Sequence, residues 1–235
     1  ISTPLDITSA IFLNSIVDYF KISSGDNNYF QLIEKVLSFR KPTIISTGFL
    51  SFKEIKNLIL LVKKNKFPLS KLSLLHCVSA YPVEYEEANL RSISFLKKNF
   101  QTKIGYSDHT IGIEAAIVAV SFGAEIIEKH FTLDNNFSKF RDHIISSDPD
   151  EMRQLVVSIR KAEMMLGKYN KKISKNEKLN KKSTRRSIFA RVDIKKNEKI
   201  DFEKIKIVRP QEGLDPFYLS KIIGKKTKKK NKSKS

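Results

Sequence analysis

The chain has 235 residues, 40% of them hydrophobic and 29% charged, with one cysteine, no tryptophan and a formal net charge of +19. No run approaches the roughly 18 consecutive apolar residues of a membrane span, no basic segment followed by an apolar core marks a secretory leader, and a lone Cys77 excludes internal disulfides; a cytoplasmic protein is expected. The charge suggests a nucleic-acid binder only until it is divided: residues 1–167 hold 20 Lys/Arg against 18 Asp/Glu, a net of +2, and residues 168–235 hold 24 against 7, a net of +17. Of the 44 basic residues 35 are Lys, without the interleaved Arg and aromatics of nucleic-acid readers, so a solvated surface is the expectation.

In chain order, short apolar runs alternate with longer segments of helical period. "ISTP" reads as the end of a strand. "DYFKISSGD" precedes the helical "NYFQLIEKVLSF", "PTIISTG" precedes "SFKEIKNLILLVKKN", and "KLSLLHCV" precedes "ANLRSISFLKKNF". "KIGYSDHT" then leads into "GIEAAIVAVSFG", and "AEIIEKHFT" leads, after a long loop, into "DPDEMRQLVVSIRKAEMML". The strand candidates are almost continuously apolar, as when helices cover both faces of a parallel sheet. Units recurring about every 20–30 residues fit a (β/α)8 TIM barrel. The competitor, a doubly wound open sheet, lacks its glycine-rich phosphate turn here.

Barrel chemistry sits at the carboxyl ends of the strands. Those ends carry Thr3, the stretch 21–26 with Lys21 and Ser24, the stretch 46–48 with Ser46, the stretch 79–82 with Ser79 and Tyr81, the stretch 107–110 with Ser107 and His109, and the stretch 128–132 with His130. Serine and aspartate at such ends are ordinary helix caps; a lysine and two histidines are not. His76, inside "LSLLHCV", reads as a core histidine and Cys77 as a small buried hydrophobe. His143 is undecided.

Taken in order, "STPLD", "FKISSGD", "KPTIISTG", "LLHCVSAYP", "NLRSI", "IGYSDHTIGIEAA" and "GAEIIEKHFTLD" resemble the sialic acid synthase family, which includes the legionaminic and pseudaminic acid synthases. "RRSIFARVDIKKNEKI" and "IVRPQEGLDP" resemble its small antifreeze-like (SAF, β-clip) domain. The resemblance implies condensation of phosphoenolpyruvate with an N-acylated amino sugar of the N-acetylmannosamine type. The products are a nine-carbon 2-keto sugar acid and phosphate, assisted by Mn²⁺ or Mg²⁺. Carried over residue by residue, it implies Thr3, Lys21, Ser24, Ser46, Ser79 and Ser107 around the phosphate and carboxylate, and His109 and His130 as metal ligands. It also implies Tyr81 facing the reacting ligands and Asp142 after the last barrel strand. Arg209 of "VRP" would reach the active site of the other subunit in a domain-swapped homodimer. At Asp142 this chain runs "FSKFRDH" where the family commonly has "LPGPDH", which suits a different sugar, such as a 2,4-diacetamido precursor of legionaminic or pseudaminic acid. A non-catalytic basic protein acting through residues 168 onward is the alternative of another class.

The expected organisation is a barrel domain over 1–167, a Lys/Asn-rich linker over 168–184 and the small β-rich domain over 185–235. "GKKTKKKNKSKS" reads as a disordered end standing where the family continues with further strands. "ISTPLD" looks like the third barrel strand, so the barrel is expected to be incomplete at its amino-terminal side, with six strands. Six strands leave two unpaired edges, and the chain as it stands is expected to be inactive.

Overall fold

The computed structural model describes residues 1–233; the last two residues of the Lys-rich end lie outside the described residues. Contacts divide the chain into two units, Ile1–Gly167 and the residues from Lys168 onward.

The first unit is built on a five-stranded parallel sheet: β1 (Phe20–Ile22), β2 (Thr43–Ser46), β3 (Leu72–Cys77), β4 (Lys103–Asp108) and β5 (Ile127–Lys129). The spatial order is the chain order, with every neighbour parallel. A doubly wound sheet reverses its strand order at a switch point; this one never reverses, which is the topology of a barrel segment. In a flat sheet β1 and β5 would lie about 19 Å apart at roughly 4.8 Å per step. Their side chains instead meet, Lys21 Nζ standing 3.4 Å from Glu128 Oε2, so the sheet curls into a half-barrel. The sixth strand expected at "ISTP" is a single bridge, Ser2 to Phe20. Pro4 has no N–H to extend a ladder, and the chain turns at once into α1 (Ile7–Leu13), capped by Asp6.

Helices α2 (Phe30–Ser38), α3 (Phe52–Lys64), α4 (Arg91–Asn99) and α5 (Glu114–Ser121) connect successive strands, and α7 (Pro149–Leu166) follows β5 after the short α6 (Arg141–Ile144). α3 shows why these segments form helices. Ser51 and Glu54 close a capping box at its start, and Ile55, Leu58, Ile59 and Val62, spaced on one face, are buried. Each such side chain contributes about 1.5–3 kcal/mol relative to exposure. In α5 the buried face is Ala115, Ala116, Ala119 and Val120, small enough to let α7 pack close, with Leu155 against Ala116. α7 also begins with a capping box, Asp148 with Glu151, and has Pro149 in its first turn. Among the described residues no helix is long and apolar enough to cross a membrane.

The second unit holds α8 (Lys175–Thr184), the antiparallel pair β6 (Ser187–Ala190) and β7 (Ile205–Val208), and α9 (Leu219–Ile222). The span read as a linker thus contains a ten-residue helix with a capping box, Ser174 with Glu177, and no buried residue. The reading of a disordered Lys-rich end is corrected for the residues described. Thr227 N donates to Glu198 O at 2.9 Å, Ile194 and Asn231 exchange both backbone hydrogen bonds, and Thr227 is buried. Backbone pairing satisfies these groups whatever the side chains, so composition did not reveal it.

Candidate active site

The carboxyl ends of the five strands and their following loops enclose a cavity of 430 Å³. Eight expected residues line it: Lys21, Ser24, Ser46, Ser79, Tyr81, Ser107, His109 and His130. Thr3 follows the Ser2 bridge outside this wall, and Asp142 stands just behind it, its Oδ1 3.4 Å from Arg141 Nε. Arg209 belongs to the second unit, exposed directly after β7. A larger cavity of 520 Å³ opens beside α3 and α4, but no lysine, arginine or carboxylate lines it. The lysine, the arginine, the carboxylate and the paired histidines line the smaller one.

Lys21 is buried among the apolar residues of β1, and its ammonium is satisfied by Glu128 and by the Ile22 carbonyl at 3.3 Å. Ser107 Oγ donates to Glu128 Oε1 at 2.7 Å, so the carboxylate joins β1, β4 and β5. Around this pair stand the hydroxyls. Gly48 N donates to Ser24 Oγ at 3.2 Å, and Asn27 Nδ2 holds the loop after β2 through the Ser46 and Gly48 carbonyls at 3.1 and 2.8 Å. A Cβ on Gly48 would lie 2.2 Å from Ser79 Oγ and 2.6 Å from Ser24 Oγ, so only glycine lets the two hydroxyls converge. Ser46 Oγ is buried without a hydrogen-bond partner among the described residues. An unpaired buried hydroxyl is costly, and this one belongs to a residue of the cavity wall.

His109 and His130 follow paired positions at the ends of β4 and β5, their ring centroids 5.4 Å apart. His109 Nδ1 lies 2.9 Å from the Val78 carbonyl, which only accepts. Nδ1 therefore carries the proton, and in the neutral ring Nε2 is the nitrogen with the free lone pair. Burial lowers the His109 pKa, but hydrogen bonds to Cys77 and Val78 outweigh it and the net direction is upward. His130 is lowered, first by burial and then by the neighbouring His109. The Tyr81 ring packs 4.2 Å from His109 and 5.9 Å, edge on, from His130, and burial foremost raises its hydroxyl pKa.

Beneath the histidines, Asp108 and Lys129 form a buried ion pair at 3.1 Å, their side chains 0% and 2% exposed. Asp108 Oδ1 also accepts from the backbone N and Oγ1 of Thr110, and Lys129 donates to the Thr110 carbonyl. Among the described residues no three His, Cys, Asp or Glu side chains form a metal site. The donor set fits a divalent ion only as two imidazoles, with water or substrate oxygens completing the shell.

Cys77 is corrected from a small core hydrophobe to a cavity wall. It ends β3, accepts from Ser24 Oγ at 3.4 Å and lies 3.9 Å from His109 Nδ1. Burial raises its pKa, but His109, Ser24 and Ser107 together bring it below the ordinary thiol value. His76 is the core histidine expected, its Nε2 donating to Ala88 O at 2.9 Å. His143 pairs with Ser138 Oγ and does not line the cavity. Glu128 and Arg141 were not assigned from sequence. Glu128 was within the quoted "EKHFT", but its role depends on the curl of the sheet.

Residues 1–171 match the NeuB family and residues 185–230 the SAF domain. An uncharacterized protein of Methanocaldococcus jannaschii is 43% identical over 97% of this chain and 67% of its own length. The N,N'-diacetyllegionaminic acid synthase of Campylobacter jejuni is 37% identical over 96% of this chain and 67% of its own. Among solved structures, the N-acetylneuraminic acid (sialic acid) synthetase of Leptospira borgpetersenii in complex with citrate aligns with a TM-score of 0.71. It is 37% identical and covers 76% of this chain and 61% of that one. The chain thus spans about two thirds of the length of these relatives.

Proposed function

The chain belongs to the NeuB family, and from that premise we propose that its cavity condenses phosphoenolpyruvate with an N-acylated amino sugar to a nine-carbon 2-keto sugar acid and phosphate. The observation that carries the proposal is the convergence of Lys21, four serines and two histidines on one 430 Å³ cavity. Lys21 supplies the cation for a phosphate or carboxylate, and Ser24, Ser46, Ser79 and Ser107 supply hydroxyl donors without a glycine-rich loop. Glu128 holds the Lys21 ammonium in place until the anion arrives.

His109 and His130 would hold Mn²⁺ or Mg²⁺, which when bound supplies Lewis-acid polarisation of the sugar carbonyl. The Val78 carbonyl takes the Nδ1 proton of His109, so that Nε2 would be the ligand atom of the neutral ring. Tyr81 forms the wall against which the acceptor lies, so that C3 of the enol faces the carbonyl carbon. One water is consumed as phosphate leaves. In a homodimer, Arg209 would complete the partner's site, and dilution below the dimer's dissociation constant should then weaken sugar binding.

A 2,4-diacetamido sugar is the second reading, favoured by the Campylobacter relative's name and by Arg141 in the cavity wall. Calorimetric titration tests the anion site. Phosphoenolpyruvate should bind at least about tenfold more tightly than pyruvate or phosphate alone, since it engages donors of both kinds. Equal affinities, or no binding, would contradict the proposal.

A further inference from the structure

Arg141 opens α6 and lines the outer wall of the cavity. Its side chain is 64% exposed, yet three neighbours lie against it, one of them Phe140, whose ring centroid is 6.0 Å from the guanidinium carbon. The guanidinium carbon lies 5.0 Å from the Tyr81 ring centroid, and Nε is 3.4 Å from Asp142 Oδ1. Tyr81 in turn packs on His109. These contacts hold the guanidinium within cation–π range of the ring that packs on His109. The terminal amino groups have no protein acceptor among the described residues and can turn toward the cavity.

From this placement, and resting on the functional reading above, we infer that Arg141 is a specificity-determining residue that reads an amide carbonyl of the acceptor sugar. Arg141 and Lys21 each have a carboxylate neighbour, but only Lys21 has the serine hydroxyls around it. The anion end of the cavity is therefore placed at Lys21, and the Arg141 wall is left for a neutral group. What remains is a planar donor for a neutral, planar oxygen acceptor. The exposed ring of Phe49, also in the wall, suits the acyl methyl group beside such a carbonyl. A hydroxyl in place of the acyl-amide would forfeit both contacts.

The test is calorimetric titration of the full chain, saturated with phosphoenolpyruvate and Mn²⁺, with N-acetylmannosamine and with mannose, which has a hydroxyl in place of the acetamido group. Arg141→Ala should weaken N-acetylmannosamine by about tenfold or more and mannose by less than about threefold. Phosphoenolpyruvate affinity and the circular dichroism spectrum should stay unchanged. Arg141→Lys, which keeps the charge but not the fork, should behave like the alanine variant; Arg141→Gln, a planar donor, should retain part of the preference. An equal loss for both sugars, or no loss for either, overturns the inference. So does failure of the unsubstituted chain to bind any sugar while phosphoenolpyruvate binds, which leaves the anion site standing. Failure to bind phosphoenolpyruvate overturns the functional reading itself.

Discussion

Replacing Lys129 by Met removes one half of an ion pair whose side chains are 0% and 2% exposed. Asp108 then has no cation, and truncating one partner of a buried pair costs about 3–5 kcal/mol. Asp108 Oδ1 keeps two hydrogen bonds from Thr110, which places Lys129→Met toward the lower end, about 3 kcal/mol. The Thr110 carbonyl loses its ammonium donor as well. Adding Asp108→Asn removes the stranded charge while keeping an oxygen for Thr110, so the double variant should recover about half the loss or more, since neutral replacement of buried pairs is often tolerated. Urea unfolding of the four chains at equal slope gives the coupling directly. The pair clamps β4 to β5 one residue before His109 and His130, so Lys129→Met should also weaken Mn²⁺ binding. A single-variant cost under about 1 kcal/mol, the range of exposed pairs, would refute the reasoning.

Gly48→Ala should lower phosphoenolpyruvate affinity by more than about tenfold, because the new methyl separates two hydroxyls now meeting over the glycine; an unchanged affinity in a titration would show that the serines do not act together. Asn27→Ala strands the Ser46 and Gly48 carbonyls and should cost about 1–3 kcal/mol in urea unfolding, and no measurable loss would mean the loop holds itself. The lowered thiol of Cys77 should give an alkylation rate whose pH midpoint falls below the ordinary cysteine value of about 8.5, with phosphoenolpyruvate slowing the reaction. A midpoint at or above that value would deny the influence of His109.

Much of the first unit is written in its sequence because parallel strands covered on both sides must be apolar throughout. Their polar ends then stand out, which is why Lys21, Ser46, Ser107, His109 and His130 were identifiable one by one. Glu128 was not, because β5 is three residues long and its carboxylate matters only through contact with β1, four strands away in the sheet. Cys77 was misread for a related reason: a residue's type tells that it is buried, not which wall it faces. Arg141 depends on a loop whose shape places it over Tyr81, and no local pattern encodes that. In the second unit, the capping box of Ser174 and Glu177 was available as a helix signal within a span dominated by lysine and asparagine. Composition outweighed it.

The most direct measurement is a crystal structure of the chain grown with phosphoenolpyruvate and Mn²⁺, using the anomalous signal of manganese. The account predicts a manganese peak ligated by His109 and His130, with a phosphate or carboxylate oxygen of phosphoenolpyruvate hydrogen-bonded to Lys21 Nζ and to Ser46 Oγ. Manganese bound elsewhere, or phosphoenolpyruvate seated away from Lys21, would contradict it.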